Sequence, residues 1–393
     1  MTMNRNQYPC VEFDLDKLAA NLAALVERCH DSLIEVAGVV KAVSSLPEIV
    51  RVYEESGVKF IATSRISQMR AIREAGICKK PLMLIRIPML SELPDVVELC
   101  DISLQSDIIV LRALNEEAKK HPDVVFGMMF NQRTNCIHRK MRELVQSGVY
   151  GNIRRTNWII TNWYRPQAYY DSGDWRATWS GEGGGVLLNQ CPHQLDLWQW
   201  ICGMPKKVEA HLHYGMWHNI EVEDDVTTYV EYENGATGVF ITSTGDAHGT
   251  NRFEIQLDKA KIVAEGDRLT VLEYDMTEQE FSKTNTNPFG MVGAHEVDPQ
   301  LDGENPQHKG VINAWGGAIL RGEPLIAGGE EGINGLTLSN AMHLSSWLGR
   351  EITLPFDEDL YYNELMKRVA TSKRKTDVKE VVADTSNTYA GSK

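Results

Sequence analysis

Along the first third of the chain, short apolar runs alternate with stretches whose apolar residues recur every three or four positions. VEFDL (11–15) precedes DKLAANLAALVERC, IEVAGVVKAV (34–43) precedes PEIVRVYEESG, and FIATSR (60–65) precedes QMRAIREAG. PLMLIRI (81–87), DISLQ (101–105) and VVFGMMF (124–130) are each followed by a helical pattern in the same way. This alternation predicts six strand–helix units. Strands joined through helices run parallel, so the pattern predicts a parallel sheet or barrel with right-handed crossovers.

After Gly151 the rhythm changes. NIRRTNWIITNWYR predicts a long strand, residues 165–185 an aromatic- and glycine-rich loop, and residues 189–203 a helix. From Lys206 the strands follow closely, with hairpin turns at ENGA and LDKA, which predicts an antiparallel sheet. Residues 278–306 are polar and rich in Asn, Gly and Pro, and predict a long loop. VINAWGGAIL and GINGLTLSNAMHLSSWLG predict helices, and the polar residues 374–393 a frayed tail. The fold class is therefore α/β: an N-terminal parallel β/α layer, half-barrel or Rossmann-like, followed by an α+β domain with a large open antiparallel sheet.

Composition narrows the partners. A net charge of −14 argues against nucleic acid, because nothing offsets phosphate repulsion. The basic run at 367–375 reads as a solvated face. No apolar run approaches the roughly 18 residues of a membrane span, and the first ten residues carry no apolar leader. Cysteines at 10, 29, 78, 100, 136, 191 and 202 form no CxxC pair, which fits a reducing cytoplasm and gives no metal signature.

Candidate chemistry gathers around GGGVLLNQCPHQLDLW (183–198). A helix starting near Gly185 would place Asn189, His193 and, less squarely, Asp196 on one face. The preceding loop supplies Trp163, Tyr164, Arg165, Trp175, Arg176 and Trp179. Aromatic planes and guanidinium forks suit a polyhydroxylated ligand. Histidine titrates near working pH and can take a proton from a substrate hydroxyl. The alternative is that His193 caps or packs beneath the sheet, with the tryptophans as core.

Residues 112–372 resemble the later two-thirds of Gfo/Idh/MocA-type oxidoreductases. The likeness rests on AKKHPDVVFGMMFNQR, LVQSGVYGNIRRTNW, DWRATWSGEGGGVLLNQCPHQLDLWQWICGMP, GEPLIAGGEEGINGLTLSNAMHLSSWLG and ITLPFD. It implies an NAD- or NADP-dependent enzyme acting on a sugar or polyol, with the open sheet supporting a homo-oligomer. It places Asn189 and His193 on the family's carboxamide–histidine motif, with His193 as acid/base and Arg133, Tyr164, Arg165, Trp175, Arg176 and Gln190 on the substrate side. Many members carry Asp where Asn189 stands; Asn can orient a hydroxyl but cannot accept its proton.

The same family needs a strand, GxGxxG and a helix start to hold the pyrophosphate. The opening VEFDLDKL has no glycine, and GEGGGV at 181–186 has the wrong spacing. The family's Glu-Lys-Pro motif is absent from DISLQSDIIV.

GVVKAV instead places Lys41 near the end of an apolar strand. Burial would lower its pKa and free the amine to attack an aldehyde; a lysine snorkelling at a strand end is the alternative. Residues 8–107 resemble the start of pyridoxal-phosphate (PLP) amino-acid racemases of the alanine-racemase fold, through YPCVEFDLDKLAANL, GVVKAV, FIATSRISQM, LMLIRIPMLSE and DISLQSD. That resemblance implies PLP on Lys41, with Arg65 and Arg86 facing the cofactor.

The two resemblances meet between Gln105 and Arg112, so the chain reads as a chimera. The expected divisions are 1–107 (racemase-like), 108–150 (the last β/α units of a Rossmann-type domain), 151–373 (substrate domain) and 374–393 (disordered tail). Three functions follow as expectations: a sugar or cyclitol oxidoreductase with an incomplete nucleotide site, a racemase-like PLP protein, or a non-catalytic sugar-binding or oligomerisation module.

Overall fold

A computed structural model describes residues 11–30, 35–105, 107–376 and 378. Two compact units divide between Val124 and Val125. The first contains α1 (Leu15–His30), β1 (Ala37–Val39), α2 (Pro47–Glu55), β2 (Phe60–Thr63), α3 (Ile66–Glu74), β3 (Leu82–Leu84), α4 (Leu93–Leu99), β4 (Ile102–Ser103) and α5 (Ile108–Ala118).

Among the described residues its strands form one parallel sheet in the order β1-β2-β3-β4. Right-handed crossovers that always step the same way carry every connecting helix to one face. This is the singly wound order of a half-barrel. A doubly wound sheet reverses its strand order, and nucleotides bind at that reversal. Gly38 marks the helix-covered face: a Cβ there would lie 2.2 Å from Cδ1 of Tyr53 on α2. Register puts Ile61, Leu82 and Leu84 on the same face, and all three are fully buried. On the other face Val39 stays 42% exposed.

Two of the six expected strands do not form as such. Residues 11–14 form no strand; Asp14 starts α1 instead, its carboxylate accepting from the Lys17 amide at 3.0 Å. VVFGMMF belongs mostly to the second unit, where Gly127 makes an isolated antiparallel bridge to Gly328. At the expected seam α5 begins after Asp107, whose side chain accepts from the Val110 amide at 2.9 Å.

The second unit contains α6 (Cys136–Gln146), β5 (Ile153–Ile160), α7 (Gln167–Asp171), α8 (Val186–Asn189), α9 (Pro192–Cys202) and six strands. These are β6 (Lys207–Tyr214), β7 (Glu223–Glu231), β8 (Thr237–Ser243), β9 (Asn251–Leu257), β10 (Ala260–Glu265) and β11 (Arg268–Tyr274). It closes with α10 (Glu278–Thr284), β12 (Ala294–Val297), α11 (Gln307–Arg321), α12 (Gly332–Leu348), β13 (Ile352–Thr353) and α13 (Glu358–Thr371). Among the described residues the sheet order is β12-β11-β10-β9-β5-β8-β7-β6-β13, antiparallel except for β5 beside β8. The hairpins at ENGA and LDKA join β7 to β8 and β9 to β10.

The strands alternate as a one-sided sheet requires. Val208, Ala210 and Leu212 of β6 point inward, while Glu209 and His211 point out. Trp198 of α9 stacks on Phe240 of β8 at 5.3 Å, and Trp158 on Phe253 at 4.3 Å. Gly238 makes room for this layer, since a Cβ there would meet Thr156 Oγ1 at 2.4 Å and Trp198 Cζ2 at 3.3 Å.

The expected loop at 278–306 holds α10 and β12. Thr277 and Glu280 form the box that starts α10, a T-x-x-E signal present in the sequence. The basic run at 367–375 is not simply solvated. Arg368 lies 4.0 Å over the Trp347 ring, the Lys373 amide donates to Glu221, and Lys375 Nζ donates to the Tyr170 carbonyl. The rest of the expected tail, 377 and 379–393, lies outside the described residues. Among the described residues no helix is long and apolar enough to cross a membrane.

Replacing Phe240 by Ala removes the ring that stacks on Trp198 and meets Trp158 edge-on at 6.0 Å. The expected cost is about 3–5 kcal/mol, read as a lowered urea midpoint; an unchanged midpoint contradicts this packing.

Candidate functional site

The glycine run at 183–185 is held from behind by a buried carboxylate. Glu223 Oε1 accepts from the Gly185 amide at 2.8 Å and from the Leu187 amide at 3.1 Å. It thereby satisfies two donors at the start of α8 that the helix itself leaves open. Its other oxygen lies 3.0 Å from His343 Nε2, and both side chains are fully buried. His343 Nδ1 donates to the Ser339 carbonyl at 2.9 Å. No side chain fits at Gly185, where a Cβ would lie 2.0 Å from the Glu223 carbonyl oxygen.

The single helix expected from Gly185 is broken. α8 ends at Asn189 and α9 begins at Pro192, whose ring supplies no amide hydrogen and suits a first helical position. Asn189 and His193 therefore stand on separate helices. Asp196 turns inward rather than sharing their face. It receives Arg133 in a two-pronged ion pair, Nε at 2.9 Å and Nη2 at 2.7 Å.

Arg133, expected on the substrate side, is itself buried. Its Nη1 reaches Glu331 at 2.6 Å, and its guanidinium lies between the rings of Phe130 and Trp200. Burial pulls its pKa down, but the two carboxylates outweigh this and leave it raised. Its role here is to lock α9 against the turn at 131–134.

Around Asn189 the structure gathers most of the other expected residues through one that sequence reasoning missed, Tyr169 on α7. Its hydroxyl donates to Asn189 Oδ1 at 3.1 Å. It accepts from Arg176 Nη1 at 2.8 Å and from Gln190 Nε2 at 3.3 Å. One donor and two acceptor positions are thus all used. Gln190 also donates to Asn189 Oδ1 at 2.9 Å, and Asn189 Nδ2 donates to Glu182. Arg176 lies 4.4 Å over the Tyr169 ring and 4.6 Å over Trp175, and Arg165 lies 5.3 Å over Tyr169. Tyr164 and Trp175 are exposed at the rim. Glu182 was also missed; burial raises its pKa against the hydrogen bonds from Ala177 and Asn189. The available signal for Tyr169 was an aromatic residue spaced between two arginines in a loop rich in both.

His193 lies half-buried at the start of α9, edge-on to Phe130 at 6.4 Å. Its Nδ1 is buried without a partner. Burial and then the nearby His308 push its pKa below the ordinary value, so the ring is neutral at neutral pH. A neutral imidazole has a nitrogen able to accept a proton.

In the first unit the three expected cofactor residues follow the carboxyl ends of successive strands: Lys41 after β1, Arg65 after β2, Arg86 after β3. Lys41 is not buried in the strand as expected; it is exposed at the start of a short turn, Lys41–Val43. The apolar run ends at Val40, which is fully buried, and the chain leaves the sheet there. Arg65 is exposed, and Arg86 donates to the Ser64 carbonyl at 2.7 Å and pairs with Glu92 at 2.9 Å.

Comparisons with known proteins find two families along the chain. Residues 138–263 match the GFO/IDH/MocA C-terminal domain, and residues 13–131 match the alanine racemase N-terminal domain. The ornithine racemase of Acetoanaerobium sticklandii is 36% identical over 112 residues, covering 28% of this chain and 31% of that protein. The chain thus spans about a third of the length of this curated relative. Among solved structures, the WlbA dehydrogenase from Chromobacterium violaceum, in complex with NADH and UDP-GlcNAcA, aligns at 21% identity and TM-score 0.57. That alignment covers 88% of this chain and 95% of the other. A levoglucosan dehydrogenase in complex with NADH and L-sorbose aligns at 17% identity and TM-score 0.58, covering 82% and 99%. These likenesses establish the fold. The chain carries a racemase-like segment and a Gfo/Idh/MocA-type segment.

The depressed His193 pKa has a definite sign in solution. The neutral ring is favoured in the folded state, so this group's stabilising influence is present above about pH 6.5, its unfolded value, and is lost as pH falls through the folded pKa. With the ring carbons isotopically labelled, the NMR titration midpoint of His193 is expected below that of a free histidine; a midpoint at or above it contradicts the site's burial.

Proposed function

We propose that this protein descends from Gfo/Idh/MocA-type oxidoreductases and that its second unit binds a sugar or cyclitol, with His193 accepting a hydrogen bond from a substrate hydroxyl. The observation that carries this reading is the half-buried His193, its Nδ1 without a partner, four residues after an Asn189 fixed by Tyr169 and Glu182. In this reading Arg165, Arg176 and Trp175 hold the substrate, Gln190 and Asn189 orient it, and Arg133 positions α9 from within. An oligomer fits the outer sheet face, where register sets Tyr229 beside Val239, and Val239 and Ile241 beside Asn157 and Ile159.

A dinucleotide does not fit the first unit. The connection after β1 is KAVSSL, without glycine, and Ser44 and Ser45 both take positive φ. The following helix opens with Pro47, which has no amide hydrogen to offer a phosphate. Titration of NADH fluorescence is expected to show no saturation at micromolar concentrations, while calorimetry detects sugar binding that weakens on Trp175→Ala. Saturable micromolar NADH binding overturns the first expectation. Sugar binding without turnover is the expected pattern for a module that has kept its substrate site alone.

A second reading is favoured by the alignment of Lys41, Arg65 and Arg86 along the carboxyl ends of three parallel strands. PLP, when bound, supplies an electron sink. Lys41 would hold it, with Arg65 and Arg86 beside it. Incubation with PLP is then expected to give a violet-region absorbance band that is lost on Lys41→Ala; a protein that stays colourless ends this reading.

A further inference from the structure

We propose that the ligand of the Tyr169 cluster is an acidic sugar, a uronate or aldonate whose carboxylate is received by Arg165 and Arg176. This rests on the reading that the second unit binds a sugar and specifies its charge. The chain as a whole is strongly acidic, at −14, and many of its arginines are spent on carboxylates: Arg70 on Asp95, Arg73 on Asp101, Arg133 on Asp196, Arg252 on Glu265. Arg165 and Arg176 are exceptions. Among the described residues neither forms an ion pair; Arg165 Nη1 donates only to the Tyr164 carbonyl, and Arg176 Nη1 only to the Tyr169 hydroxyl.

Both guanidinium groups lie over the ring of Tyr169, at 5.3 and 4.4 Å. Stacking holds the forks in place while leaving their remaining N–H groups without acceptors. Arg176 Nε is buried with no partner. A buried donor left unpaired is costly, so the site is built for an acceptor that the chain does not supply.

The carboxylates nearby do not fill that place. Glu182 is turned to the Ala177 amide at 2.7 Å and to Asn189, and burial favours its uncharged form. Asp171 accepts from Gln167 at 2.9 Å. Lys375, close enough to Arg176 to feel its charge, adds a third cation, anchored on the Tyr170 carbonyl.

What remains open are the N–H groups of Arg165 and Arg176; Asp171 and Glu182 also lie within reach of Lys375, but neither forms an ion pair with these two arginines among the described residues. A neutral hydroxyl would answer one such donor and bring a proton of its own. A carboxylate has two oxygens, about four acceptor positions and a plane that matches a guanidinium fork. A phosphate shares the charge but not the plane. The sugar's hydroxyls would then extend toward Asn189 and His193, and Trp175 would offer a stacking face.

The test is calorimetry on the full chain with matched pairs: D-glucose against D-glucuronate, D-galactose against D-galacturonate, and D-glucose 1-phosphate as the non-planar anion. The uronate is expected to bind at least tenfold tighter than its aldose, with the preference falling as salt rises. Arg176→Met and Arg165→Met should each abolish the preference, and Arg176→Lys should restore part of it. Arg350→Met, on the exposed surface away from the cluster, should leave it intact. Circular dichroism and thermal melts establish that the variants fold. Equal affinity for aldose and uronate overturns the acidic-sugar assignment while leaving sugar binding standing. Tighter binding of the sugar phosphate than of either uronate overturns the carboxylate. Absence of binding by every sugar removes the sugar-binding reading and this inference with it.

Discussion

The candidate site depends on one buried carboxylate. Glu223 reaches across from β7 to take the amides of Gly185 and Leu187, and His343 of α12 faces it from the other side. Glu223 is the acceptor for both amides, and leaving a buried donor without its acceptor typically costs about 1–3 kcal/mol. The sheet, the central helix and the glycine turn therefore meet at a point that cannot relax. Gly185 has no room for a side chain, so the turn has one path. That path sets where α8 ends, which fixes Asn189. The break at Pro192 then fixes His193.

The first unit obeys a different constraint. Its strands step in one direction, so its helices gather on one face, and among the described residues there is no strand reversal at which a dinucleotide would sit. Replacing a doubly wound layer with this one preserves parallel strands and amphipathic helices, and packing can continue. Chemistry does not carry over as easily. A phosphate cradle needs particular backbone atoms in a particular turn, and the turn after β1 ends on a proline. Under the proposed reading, ligand-binding side chains persist in one unit although the other offers no phosphate cradle in the turn after β1.

Much of this was legible because period and chemistry coincide. Alternation in KVEAHLHY and the turns at ENGA and LDKA specify strands that pack one-sided, and the sheet forms there. The middle four parallel strands were readable for the same reason. VEFDL misleads because its alternation competes with Asp14, which starts a helix while Val11, Phe13 and Leu15 stay exposed. VVFGMMF has the composition of a strand, but its partner, at 327–329, is distant in sequence. In the site, the arginines and tryptophans were visible as types. Which of them turn inward was not, because Arg133 and Arg176 differ only in what surrounds them: Arg133 meets Asp196 and Glu331, and Arg176 meets an aromatic ring and, among the described residues, no carboxylate in ion-pair range. Tyr169 was hidden beside Tyr170, which is core and bonds Thr244.

The central claim is that ligand contacts survive in the second unit and that no dinucleotide is held by the first. Hydrogen–deuterium exchange of the full chain, with a uronate and NADH added separately and together, tests it directly. Protection is predicted across residues 163–193 with the uronate and no change across residues 37–50 with NADH. Protection of the turn after β1 by NADH would contradict the account.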